Sequence, residues 1–121
     1  MTIATLTDNP SVALQLNGWL RRYCELYQVT PSLMEFTSKD ELLQVSGIHR
    51  VDVVFIYLRG PEGFLQARAV HEAIPDCRMV FIGDTMEYAV RCIRLHFTDY
   101  LLMPLEFKSF VRAMKLAGVG C

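Results

Sequence analysis

Several residues able to do chemistry stand where apolar runs stop. Thr7-Asp8 follows Thr2–Leu6, Tyr57 closes Val53-Val54-Phe55-Ile56 with Arg59 two positions on, and Gly83-Asp84 follows Met79–Ile82. Asp8 and Asp84 are hard oxygen donors of the kind that hold Mg²⁺, but two carboxylates without a third ligand hold it poorly, so no metal is expected. The Tyr57 hydroxyl is placed to bond Asp8 or Asp84, or to be a phosphorylation target; a filler role with one hydrogen bond to a neighbour is the simpler expectation. Arg59 is either a solvated side chain or a fixed cation reaching Asp8. His49, His71 and His96 are scattered, with no Cys or Ser arranged beside them for nucleophilic work, and no catalysis is expected.

These residues need elements to position them. Asn9 caps a helix whose first residue is Pro10, and Val12, Leu16, Trp19, Leu20, Tyr23 and Tyr27 make one apolar helical face. Leu33–Thr37 is a short strand, and Ser38-Lys39-Asp40-Glu41 is a capping box opening a helix that Gly47 stops. Asp52–Leu58 is apolar almost throughout, as a central strand buried on both faces requires. Gly60-Pro61-Glu62-Gly63 reads as a break before a helix from Phe64 to Ile74. Thr85 reads as the cap of the next helix, with Tyr88, Ala89, Cys92 and Ile93 inward. Asp99–Leu102 is the last strand, and Glu106–Leu116 the last helix. Five βα units in strict alternation predict an α/β fold, a five-stranded parallel doubly wound sheet with helices on both faces. Ligands of such sheets bind outside the carboxyl ends of the strands, where the residues named above gather.

Composition narrows the function classes. With 121 residues, 52% of them hydrophobic, and a net charge of −1, the chain suits one compact domain. No apolar run approaches the roughly 20 residues of a membrane span, and the N-terminus has no signal-peptide pattern, so a cytoplasmic protein is expected. There is no basic stripe for direct nucleic-acid contact. Cys24, Cys77, Cys92 and Cys121 form no C-x-x-C pair and read as free thiols, with Cys121 expected to be exposed and oxidisable.

The segment from Met86-Glu87-Tyr88-Ala89-Val90-Arg91-Cys92 to Asp99-Tyr100-Leu101-Leu102-Met103-Pro104 resembles the E-Y-A … D-Y-L-L-K-P segment of receivers that precede LytTR-type DNA-binding domains. Ile3–Pro10 resembles the family's strand ending in D-D-D-P. End to end, the chain resembles a receiver domain of two-component response regulators. The resemblance implies a CheY-like, flavodoxin-like three-layer sandwich with strand order 2-1-3-4-5, over residues 1–117, with 118–121 as a tail or the start of a linker.

It also implies where a phosphorylation pocket belongs, and the pocket's residues differ here. Tyr57 stands at the phosphoacceptor Asp position, Thr7-Asp8 at the acidic pair, Gly83 at the switch Thr or Ser, and Met103 at the Lys. The turn after Tyr57 is also about two residues shorter than the family's form. Tyr57 has no carboxylate and cannot form an acyl phosphate. Without the carboxylate cluster a buried Lys would be left unpaired, a costly state, whereas Met103 has similar length and no charge. Gly83 leaves room that a neighbouring phenol could take, and Tyr57 is expected to plug the former pocket.

By the same resemblance Tyr100 is the family's aromatic switch residue, expected here in a fixed rotamer. The surface of the fourth helix, fifth strand and fifth helix, with Arg91, Arg94, Lys108, Arg112 and Lys115, is where receivers commonly dimerise. The expectation is a non-enzymatic pseudo-receiver without cofactor. It would signal, or regulate transcription, through a protein partner or a second copy, with a LytTR-type output domain if the natural chain is longer. One alternative is a flavodoxin-like binder of a flavin or nucleotide phosphate at Thr7-Asp8-Asn9-Pro10-Ser11, although that loop lacks glycine and carries Asp8. Another is an active receiver using Asp8 or Asp84 as a displaced acceptor.

Overall fold

The computed structural model describes residues 1–120; the expectation for Cys121 lies outside them. The elements are β1 (Thr2–Thr7), α1 (Pro10–Tyr27), β2 (Ser32–Phe36), α2 (Lys39–Ser46), β3 (Val53–Tyr57), α3 (Gly60–Ala73), β4 (Arg78–Gly83), α4 (Ala89–Arg94), β5 (Asp99–Leu102) and α5 (Phe107–Leu116). The five strands form one parallel sheet in the order β2-β1-β3-β4-β5. This is the CheY-like, flavodoxin-like α/β arrangement. Every residue of β3 is buried, as its unbroken apolar run requires at the centre of a sheet covered on both faces.

Two apolar layers result from the alternation of side chains along the strands. One holds Ile3, Val53, Phe55, Tyr57, Val80 and Ile82 against α1 and α5, with Phe110 stacked on Phe55 at 5.2 Å. The other holds Ala4, Leu6, Val54, Ile56, Met79 and Phe81 against α2, α3 and α4. At the amino ends of the strands Asp52 ties β1 to β3, accepting the Thr2 amide at 2.8 Å and Arg50 Nε at 2.9 Å.

The capping signals act as their chemistry dictates. Asn9 Oδ1 accepts from the Ser11 and Val12 amides with Pro10 at the helix start, and Ser38 Oγ accepts from the Glu41 amide. Two helix starts differ from the sequence expectation. Gly60-Pro61-Glu62-Gly63 is the first turn of α3, not a break before it. Pro61 supplies a preset φ without a wasted donor, and Gly63 lets this turn lie on the end of β3, since a Cβ there would collide with the Leu58 carbonyl. Conversely, α4 begins only at Ala89. Thr85 is no helix cap; its Oγ1 accepts from the Glu87 amide and shapes a local turn. Ala89 and Cys92 face inward as expected, but Ile93 is 72% exposed.

Residues 118–120, assigned to a tail from the sequence, pack onto the domain. Val119 is buried, its carbonyl accepts from the Tyr23 hydroxyl, and Arg78 donates to the Ala117 carbonyl at 2.9 Å. No helix among the described residues is long and apolar enough to cross a membrane.

Candidate functional site

The carboxyl ends of β1, β3, β4 and β5 bring together most of the residues singled out from the sequence. Thr7 and Tyr57 are register partners on β1 and β3, and Gly83 pairs with Leu102 across β4 and β5. Tyr57 is 2% exposed, with its ring in the apolar layer under α1 and α5. Its hydroxyl emerges at the sheet edge and donates to the Asp84 carboxylate, whose oxygens lie at 2.9 and 3.1 Å. Of the two acids weighed as partners, Asp84 is the one that Tyr57 meets.

Arg59 Nε donates to the same hydroxyl at 3.3 Å. The guanidinium is exposed and forms no ion pair with Asp8; its pKa is raised by the Tyr57 contact first, then by the charges of Asp84 and Asp8. Asp8 is exposed and has no side-chain bond among the described residues. Thr7 is buried and its hydroxyl accepts from the Asn9 amide at 3.1 Å, so it serves the turn into α1.

At Gly83 the structure corrects the expectation about which phenol takes the vacated room. A Cβ at position 83 would overlap the Tyr100 hydroxyl and lie 2.8 Å from its Cζ, so the space belongs to Tyr100 and not to Tyr57. The Tyr100 ring stacks on Phe81 at 5.7 Å, and its hydroxyl donates to the Thr85 carbonyl. Burial pushes the Tyr100 phenol above its ordinary 10.0, with nearby acidic groups adding to the shift, which keeps it a hydrogen-bond donor. Met103 is half-buried against the apolar layer that contains Tyr57, and the Met103–Pro104 peptide is cis.

The donor set does not suit a Mg²⁺ ion. Tyr57 offers a neutral phenol in place of a carboxylate, Asp84 is engaged by that phenol, Thr7 is turned to Asn9, and among the described residues no three acidic, His or Cys side chains converge. The phosphate-loop alternative also meets a physical obstacle. The amides of Ser11 and Val12, the donors a phosphate would need, are already taken by Asn9 Oδ1. Beside Asp84 lies a cavity of about 220 Å³ lined by Arg59, Phe81, Asp84, Glu87, Tyr88 and Tyr100 among others. The histidines do not join it; His71 on α3 packs edge-on against Phe97.

The five basic residues expected at an interaction face are not equally free. Arg112 Nε pairs with Asp99 at 3.0 Å, Arg91 sits 5.8 Å from the Phe64 ring centroid, and the Lys115 ammonium lies 4.8 Å from that of Tyr27. Arg94 and Lys108 are exposed on α4 and α5. What the basic count missed is apolar: Met86, Val90, Ile93 and Leu102 are all exposed on this side. Val90 and Ile93 stand on α4 and Met86 in the loop before it; Ile93 lies one helical turn from Ala89, which is why its spacing suggested the inner face.

No protein-family model matches the sequence, and no curated protein matches it. Solved structures do. A response regulator from Thermotoga maritima superposes with a TM-score of 0.77 at 16% identity, over 97% of each chain. The response regulatory domain of protein mrkE from Klebsiella pneumoniae gives 0.76 at 19% identity, over 98% of this chain and 95% of that one. The REC domain of AraT, a response regulator from Geobacillus stearothermophilus, gives 0.70 at 25% identity, over 97% and 92%. The fold is that of a response regulator receiver domain. At these identities the likeness is one of architecture, and the residues at the strand ends must be judged by their own chemistry.

Proposed function

We propose that this chain is a non-enzymatic pseudo-receiver, a signalling domain that works without aspartyl phosphorylation and acts through protein–protein contact. The observation that carries this reading is Tyr57. It is buried where the fold's resemblance puts the phosphoacceptor, and it engages the nearest carboxylate, Asp84, with its own hydroxyl. Gly83 and Met103 supply neither the hydroxyl nor the ammonium that would steady a transferred phosphoryl group. The displaced-acceptor alternative loses support for the same reason, because Asp8 is exposed with no side-chain bond among the described residues while Asp84 is held by Tyr57.

The partner surface that fits this function is α4, β5 and α5. Exposed Met86, Val90, Ile93 and Leu102 supply apolar area, and the exposed Arg94 on α4 and Lys108 on α5 supply charge on the same elements. A second copy or a partner protein is the occupant, in the cytoplasm, and a LytTR-type output domain beyond this chain would make the whole a transcription regulator. The decisive test is an amide NMR titration with Mg²⁺ and beryllofluoride, alongside incubation with a radiolabelled small-molecule phosphodonor. Unmoved peaks at Tyr57, Gly83 and Tyr100 with no label incorporated are expected. Saturable shifts there, or acid-stable, base-labile label on an aspartate, would sink the proposal.

A further inference from the structure

Two phenols reach the same loop from opposite sides. The β4–α4 loop, Asp84–Tyr88, receives the Tyr57 hydroxyl from β3 on the carboxylate of Asp84, and the Tyr100 hydroxyl from β5 on the carbonyl of Thr85. These anchors are adjacent in sequence and come from the two strands flanking β4. Between them lies Gly83, without which the Tyr100 ring could not occupy its place.

We propose that these contacts form a permanent clamp that holds the β4–α4 loop in one conformation, with Gly83 as the residue that admits Tyr100. The inference rests on the reading of this domain as phosphorylation-independent and supplies its physical form: the interaction face is fixed by packing and awaits no signal.

The ring is rigid and stacked on Phe81, so relief of an overlap at position 83 requires rotation of the whole side chain away from the sheet. The loop cannot follow without giving up both the Tyr100 and the Tyr57 bonds. Above Tyr100 lies the exposed apolar surface: Met86 and Leu102 flank one hollow over the ring, and Met86 and Ile93 flank another. The position of Met86 is therefore set by the clamp. The local turn in which Thr85 Oγ1 accepts from the Glu87 amide, and the Ala89 amide bond to the Met86 carbonyl, complete a loop whose amides report directly on its order.

The test is hydrogen exchange and ring-proton NMR on the full chain and four variants, with Tyr100→Ala alone supplying the second single change that the double variant is compared with. Gly83→Ala should expel Tyr100, remove the ring shifts produced by Phe81, and speed amide exchange at Glu87 and Ala89 by about tenfold or more, with β1–β3 amides unchanged. Tyr100→Phe keeps the ring in place and loses only the hydroxyl anchor, so it should speed loop exchange while retaining the stacking shifts. Gly83→Ala combined with Tyr100→Ala removes the overlap, and its denaturant midpoint should fall by less than the sum of the two single changes. Unaltered ring shifts and loop exchange in Gly83→Ala, or strict additivity in the double variant, would overturn the clamp. None of these readouts involves a phosphodonor, so failure of the clamp and failure of phosphorylation independence are seen separately.

Discussion

Tyr57 has two jobs that pull on different parts of the side chain. The ring fills a fully enclosed position in the apolar layer, and the hydroxyl satisfies itself at the edge on Asp84 while accepting from Arg59. Separating the two is straightforward. Tyr57→Phe keeps the packing and frees Asp84 to be hydrated, since that acid is exposed, so the expected loss is only about 1 kcal/mol in a urea unfolding curve. Tyr57→Asp removes the ring and puts a carboxylate in a 2% exposed site close to Asp84. A loss of about 3 kcal/mol or more at neutral pH is expected. Burial and the neighbouring acid would raise the introduced carboxyl's pKa, so part of that loss should be recovered as pH falls toward about 5. A variant as stable as the unmodified chain at neutral pH would show that the position tolerates charge and that the ring is not needed there.

At the scale of elements, local chemistry was readable wherever a side chain and its partner lie close in sequence. Asn9 with Pro10 and the Ser38–Glu41 capping box are of this kind, and β3 announced itself by an unbroken apolar run. The misreadings share a cause. Gly60 and Pro61 serve equally as turn and as helix-start residues, and only the contact of Gly63 with Leu58 decides between them. Thr85 looks like a cap, but its hydroxyl and carbonyl are committed to Glu87 and Tyr100. Likewise the sequence placed Tyr57, Gly83 and Tyr100 at one edge without saying which phenol points into the gap, because that depends on side-chain direction across strands. Asp52 is the element-scale tie least visible in sequence: it joins the starts of β1 and β3, fifty residues apart. The Thr2 amide, and secondarily Arg50, hold its pKa below the ordinary 3.8 against the opposing effect of burial. A depressed folded-state pKa means stability present in full above the unfolded value and lost as pH falls through the folded one. Asp52→Ala should therefore cost about 1.5 kcal/mol at pH 7 and progressively less below about pH 4. Equal deficits at neutral and strongly acid pH would show that Asp52 acts through packing alone.

For the whole molecule, the two apolar layers carry different reporters. Among the described residues, the buried layer under α1 and α5 holds no cysteine, whereas Cys77 and Cys92 are both buried in the layer under α2, α3 and α4. Burial pushes both thiols up to about 12 from an ordinary 9.0, with the Asp52 charge adding to the shift at Cys77. A raised folded-state pKa gives stability that is complete below the unfolded value and declines as pH climbs from about 9 toward 12. Alkaline unfolding in that window is the expected consequence, and Cys77→Ala with Cys92→Ala should flatten it while lowering stability at neutral pH through lost packing. Reactivity follows from the same numbers. At pH 8 thiols pushed up to about 12 are scarcely ionised, and burial blocks the alkylating reagent as well; burial raises the Cys24 thiol too, but that side chain stays partly accessible. Half-buried Cys24 on α1 is then the thiol among the described residues that iodoacetamide should reach in the native protein. Labelling of Cys77 and Cys92 should appear only as the second layer opens, which makes their modification rate a measure of that opening under native conditions. Mass-spectrometric mapping of the label over time checks this: equal rates at all three sites would mean that the layer carrying the clamped loop is open far more often than its packing implies.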